Sequence, residues 1–119
     1  DYIADMPFCD KQRIYAMGTS LGGYATWQMG IAHSDYFAAI VPICGGGMPW
    51  NAGVLTMPVW AFHGLEDGVV SANQTIEMVE KLKETNENLK YDLFEGVYHD
   101  SWTRAFTTDT LNWLLEQRK

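Results

Sequence analysis

Arg13-Ile14-Tyr15-Ala16-Met17-Gly18-Thr19-Ser20-Leu21-Gly22-Gly23-Tyr24 is the stretch that decides the architecture. Five residues with strand character run into a glycine, and an amphipathic helical pattern opens just beyond it. The spacing predicts a short strand over 13–17 and a helix over 21–33 with Tyr24, Trp27 and Ile31 on one stripe.

The same alternation continues toward the C-terminus. Residues 37–44 (FAAIVPIC) are continuously apolar and bounded by Gly45-Gly46-Gly47. They read as a strand buried on both faces, although Pro42 removes a ladder donor. Residues 45–57 read as a loop with one short helical turn. Val59-Trp60-Ala61-Phe62-His63 is a third strand between Pro58 and Gly64. Ser71 and Gln74 resemble a capping box for a helix reaching about residue 85. That helix buries Ile76, Val79 and Leu82 and pairs Glu77 with Lys81 at i,i+4. Residues 90–94 form a fourth strand. Ser101 caps a last helix that turns Trp102, Phe106, Trp113 and Leu114 inward. Strands alternating with helices predict an α/β class fold, three-layer α/β/α, with a mainly parallel sheet and right-handed crossovers. At 119 residues, with no repeat, low-complexity tract or linker, one domain spans 1–119.

Composition narrows the partners. The net charge of -7 disfavours nucleic acid and anionic membranes, and the basic residues are scattered, so no patch offsets it. No apolar stretch is long enough to span a bilayer. A small uncharged molecule fits this surface best. The two cysteines, Cys9 and Cys44, make no disulfide framework and leave their pairing open. Cys44 ends an apolar run and reads as a small buried hydrophobe. The chain opens at Asp1 without an initiator Met, so the natural start is expected upstream, with room for a leader. Secreted, periplasmic and cytoplasmic placements all stay open.

Gly18-Thr19-Ser20-Leu21-Gly22 matches G-x-S-x-G. Its physical content is a tight strand-to-helix turn with a strained serine at the apex. Side chains at the two glycines are expected to collide with the neighbouring strand and helix. The amide of Leu21, at the helix N-terminus, is placed to meet a developing oxyanion. A nucleophilic serine needs a base, and the base an orienting acid; where the serine sits on a strand-to-helix turn of this kind, the expected chain order is Ser, acid, His. Asp67 follows the third strand, and His99 lies between the fourth strand and the last helix. Glu66 is the neighbouring competitor for the acid. His63 reads as bonding locally in its turn, His33 as a helix-end residue, and Asp100 as ordering the final loop. Neither a pair of histidines at metal-ligand spacing nor a phosphate-cradling G-x-x-x-x-G-K occurs, so no metal is expected. Tyr24, Trp50 and Trp102 are candidates to line a pocket, with plain packing as the competing reading for each.

RIYAMGTSLGGYATW, VPICGGG, PVWAFHGLEDGVV and YHDSWTRAF together resemble the phospholipase/carboxylesterase and polyhydroxybutyrate-depolymerase-like branch of the α/β-hydrolases. Dienelactone hydrolase and the prolyl oligopeptidase catalytic domain are relatives of that branch. The resemblance runs from Arg13 onward. It implies Ser20 as nucleophile, Asp67 as acid, His99 as general base and the Leu21 amide as one oxyanion donor. It also implies hydrolysis of a small carboxylic ester through an acyl-enzyme, without a cofactor. A serine peptidase of the prolyl-oligopeptidase type is the alternative within the same chemistry. This chain supplies about four strands, the C-terminal half of the family's fold, so the second oxyanion donor is expected outside it. The nucleophile strand is then expected to show an unpaired outer edge. A second copy in a homodimer, or an N-terminal fragment, would pair there. A non-catalytic, self-associating fragment is the third reading.

Overall fold

The computed structural model describes residues 14–118. The expected strand start at Arg13, and Cys9 with any pairing to Cys44, lie outside the described residues. Four strands, β1 (Tyr15–Thr19), β2 (Ala39–Ile43), β3 (Val59–Gly64) and β4 (Leu89–Phe94), form one parallel sheet in the order β1-β2-β3-β4. Between them lie α1 (Leu21–Ala32), a 3-10 segment (Pro49–Val54) and α2 (Asn73–Leu82). After β4 come α3 (Trp102–Ala105) and α4 (Thr108–Glu116).

A strand order that never reverses puts every right-handed crossover on one face of the sheet. The core follows this rule. On one face Trp27, Ala52, Leu55, Met78, Val79 and Leu82 pack over Ile40, Val59 and Ala61. On the other, Ala105 and Leu114 pack over Ala39, Val41, Ile43 and Phe62, with Trp60, Trp102 and Trp113 at the margin. The result is the expected α/β/α sandwich. The strand alternation is visible within β2, where Ile40 faces one layer and Ala39 and Val41 the other.

Three local expectations are corrected. On α1, Trp27 is fully buried but Tyr24 is exposed and Ile31 half-buried; the buried face is Gly23, Thr26, Trp27 and Gly30. Small residues win because the helix lies against the sheet backbone. A Cβ on Gly23 would sit 2.4 Å from the Ile43 carbonyl oxygen. On α2 the Ser71 hydroxyl accepts from the Asn73 amide at 3.3 Å, while the Gln74 amide donates to the Ser71 carbonyl, so no capping box forms. That helix ends at Leu82, Ile76 is only half-buried, and the ion pair on it joins Glu80 to Lys83. The last helix is two. Phe106 and Thr107 interrupt it, and Thr107 rather than Ser101 caps α4 by accepting from the Thr110 amide at 3.2 Å. Leu114 points inward as expected, Trp102 and Trp113 are half-buried, and Phe106 is 56 % exposed.

Pro42 does sit inside a central strand. The Ile40 amide donates to Pro58 O and the Cys44 amide to Phe62 O, both across to β3. Pro42 occupies the step between them on that side, so the β2–β3 ladder skips a rung rather than breaking. Among the described residues β1 pairs only with β2, leaving its outer edge open. Met17 on that strand borders an apolar groove of about 310 Å³ with Phe106, Leu111 and Leu114. Among the described residues no helix is long and apolar enough to cross a membrane.

Candidate active site

Ser20 occupies the sharp turn between β1 and α1, at φ 53° and ψ -114°. A non-glycine residue there is strained, and the strain persists only where its surroundings enforce it. The Ser20 amide donates to Ile43 O at 3.0 Å and to Cys44 Sγ at 3.3 Å, and Ser20 O accepts from the Tyr24 amide. Among the described residues Cys44 is the other non-glycine at positive φ, 44°. The two strained turns at the ends of β1 and β2 therefore hold each other. Gly18 has no alternative, because a Cβ would lie 2.3 Å from Gly22 O. Gly22 itself is a correction: a Cβ there meets nothing within 4 Å.

Asp67 lies in the turn after β3, and His99 in the loop after β4. Backbone hydrogen bonds join the two loops: Leu65 N–H to Phe94 O and Glu66 N–H to Val97 O, both 2.9 Å. The approach is so close that a Cβ on Gly64 would lie 2.3 Å from Val97 O. Glu66 is exposed and takes no part in the pairing with His99. Asp67 Oδ1 accepts from the amides of Val69 and Val70, each at 2.8 Å. Its Oδ2 lies 2.7 Å from His99 Nδ1, and His99 Nε2 lies 2.8 Å from Ser20 Oγ. The Nδ1 nitrogen faces a carboxylate and so carries the proton, leaving the Nε2 lone pair for the serine hydroxyl.

Burial pushes the Asp67 carboxyl up. The hydrogen bonds from His99, Val70 and Val69 outweigh it, and the group lies below its ordinary value of 3.8. A folded-state value below the unfolded one stabilises the fold fully above pH 3.8, and the contribution disappears as pH falls through the lower folded value. Urea unfolding of the parent and of Asp67→Asn is therefore expected to differ most near neutrality. The gap should shrink below pH 3.8. A gap that stays constant down to pH 2 would remove this account.

The remaining predicted residues distribute unevenly. Leu21 opens α1, so its amide is one of those a helix N-terminus leaves without an intrahelical acceptor; its side chain is 84 % exposed. Trp102 stands edge-on to the His99 ring at 5.6 Å. Tyr24 follows Ser20 by one helical turn and is 37 % exposed. Trp50 is corrected: it is 77 % exposed and lines a groove with Pro49, Ile76 and Glu80 that includes none of Ser20, Asp67 and His99. Sequence reasoning missed Cys44. Its Sγ joins donor atoms of Asp67 and His99 within 4.8 Å of one another, a metal-capable trio among the described residues. Burial pushes the thiol up, away from the thiolate a metal needs. The His99–Asp67 hydrogen bond already occupies the other two groups.

Residues 1–110 match the family described as the dienelactone hydrolase family. Among solved structures, a thermostable esterase superposes with a TM-score of 0.94 at 32 % identity, over 99 % of this chain and 34 % of the esterase. Dipeptidyl peptidase 4 of Porphyromonas gingivalis gives a TM-score of 0.84 at 17 % identity, over 97 % of this chain and 21 % of that one. Acylaminoacyl peptidase of Pyrococcus horikoshii gives 0.74 at 20 % identity, over 87 % and 22 %. The last two share the fold. The chain thus spans about a third of the esterase it matches. No curated protein matches the sequence significantly.

Proposed function

The chain belongs to the dienelactone hydrolase family, and from that membership we propose that it carries the Ser-His-Asp machinery of a serine hydrolase acting on small carboxylic esters. The observation that carries the reading is His99, bridging Ser20 Oγ at 2.8 Å and Asp67 Oδ2 at 2.7 Å across 79 residues of sequence. In the proposed reaction His99 Nε2 takes the Ser20 proton as Oγ attacks the ester carbonyl. The Leu21 amide donates to the oxyanion. The tetrahedral intermediate collapses, the alcohol leaves with the proton from His99, and the acyl group stays on Ser20. Water, deprotonated by His99, then attacks the acyl-enzyme and releases the acid. Asp67 holds the imidazole in the productive tautomer and stabilises its positive form. Trp102, packed against His99, forms a wall beside the acyl group. No cofactor enters this chemistry. Likeness to a thermostable esterase at 32 % identity supports an ester over a peptide as substrate.

The open edge of β1 favours a second element in the proposal: a strand from another copy or from an N-terminal fragment pairs there. One experiment addresses both. A fluorophosphonate probe, which phosphonylates an activated serine with loss of fluoride, is applied to fractions separated by sedimentation. Labelling is expected in the parent and not in Ser20→Ala or His99→Ala. Labelling that survives Ser20→Ala removes the nucleophile assignment. Labelling confined to the dimer fraction assigns activity to the assembled edge. A folded chain unlabelled in every fraction favours the non-catalytic, self-associating reading.

A further inference from the structure

The acid is held by more than its catalytic partner. His63, near the end of β3, is fully buried and stands beside Asp67, at the same carboxylate oxygen that His99 uses. Its Nε2 lies 2.8 Å from Val70 O and 3.2 Å from Asp67 Oδ2. Both are acceptors, so Nε2 carries the proton. Its Nδ1 is then the acceptor for the Thr75 Oγ1 hydroxyl of α2 at 2.7 Å, and that one hydroxyl proton is shared with Gly45 O, 3.2 Å away just past β2. Gly45 in turn abuts the backbone of Gly23 and Tyr24, so closely that a Cβ on it would fall 2.4 Å from Gly23 C. One imidazole thus touches the acid's carboxylate and pins the carbonyl of Val70, whose own amide donates to that carboxylate. Through Thr75 it reaches the loop against which the serine's helix packs.

We propose that His63 is a positioning residue for this site, sharing Asp67 Oδ2 with His99 and tying the acid's loop to the serine's turn through Thr75 and Gly45. The proposal rests on the roles assigned above to Ser20, His99 and Asp67. Its chemical consequence has a definite sign. An N–H facing the carboxylate withdraws part of its charge. Without it, Asp67 becomes a stronger acceptor for His99 Nδ1–H and favours the imidazolium. The groups facing His99 are Asp67 on the β3 loop, Ser20 at the β1–α1 turn, Cys44 after β2 and Trp102 on α3. Of these Asp67 is the one His63 touches.

The test follows the His99 ring by proton NMR titration in the parent, His63→Leu and His63→Gln, with fluorophosphonate labelling rates measured on the same samples. In His63→Leu the His99 midpoint is expected to move to higher pH and the neutral-pH labelling rate to fall by about tenfold or more. His63→Gln, which restores a side-chain N–H donor, should return both toward the parent. Circular dichroism confirms folding, and Thr75→Val, which removes the hydroxyl standing between His63 Nδ1 and Gly45 O but keeps the His63 imidazole beside Asp67, serves as a second variant if His63→Leu does not fold; it should lower the labelling rate in the same direction. A folded His63→Leu chain with an unmoved His99 midpoint and parental labelling overturns the proposal. A moved midpoint in a chain whose parent is never labelled keeps the positioning role and removes the hydrolytic reading instead.

Discussion

His99→Ala is expected to lower kcat on an unactivated alkyl ester by on the order of 10⁶-fold, and Ser20→Ala by about as much. The double variant should be no worse than either alone. The reason is geometric. His99 Nε2 sits 2.8 Å from Ser20 Oγ, so in the proposed reaction it is the base for that serine, and neither group would accelerate acyl transfer without the other. Effects of residues acting as one unit do not add. Asp67→Asn is milder, about 10⁴-fold, because the amide preserves the shape but presents an N–H where His99 needs an acceptor, forcing the wrong tautomer. The residual rate of His99→Ala should climb with pH, as hydroxide replaces the missing base. Steady-state kinetics of the three single variants and the double decide the matter. Losses that multiply in the double variant would mean that Ser20 and His99 act separately, and the mechanism above would fall.

The placement of these three residues was legible because it depends on chain order and on where strands end. Ser20, Asp67 and His99 each follow a strand, and parallel strands deliver their C-terminal ends to one edge of the sheet. The three-layer architecture was legible for a similar reason, since alternating strands and helices leave few topologies. What sequence could not show was contact between backbones. Trp50 looks like a pocket residue by type, but the 3-10 segment carries it to a groove beside α2. Cys44 looks like a plain apolar residue, yet its positive φ brings the thiol to the Ser20 amide. Nothing in residue type encodes that dihedral. His63 read as a local turn residue, and its bond to Val70 O is local. Its links to Thr75 and Asp67 depend on α2 docking beside the β3 loop.

The buried face of α1 is the sharpest case, and it yields the largest expected loss of stability. A helix usually announces its buried face by apolar spacing. Here Tyr24 and Ile31 suggested the wrong stripe because the true one, Gly23, Thr26, Trp27 and Gly30, is mostly small. Its signal is the absence of side chains. Gly23 lets the helix lie directly on the end of β2, with its Cβ position 2.4 Å from Ile43 O and 3.0 Å from Gly45. Both neighbours are backbone, and neither turns aside as a side chain would. Gly23→Ala normally favours a helix through propensity. Here overpacking outweighs that gain, at about 3 kcal/mol. A loss of that size lowers Tm by on the order of 10–20 °C. Gly22→Ala is the internal control: it lies in the same turn, meets nothing within 4 Å, and is expected to leave Tm unchanged or slightly raised. The loss at Gly23 should also reach the chemistry. Ile43 O accepts from the Ser20 amide, so a helix pushed off β2 drags Ser20 away from His99. Thermal unfolding and probe labelling of the two alanine variants should therefore separate together, Gly23→Ala failing in both and Gly22→Ala in neither. Equal melting temperatures would mean that α1 does not lie this close to the sheet.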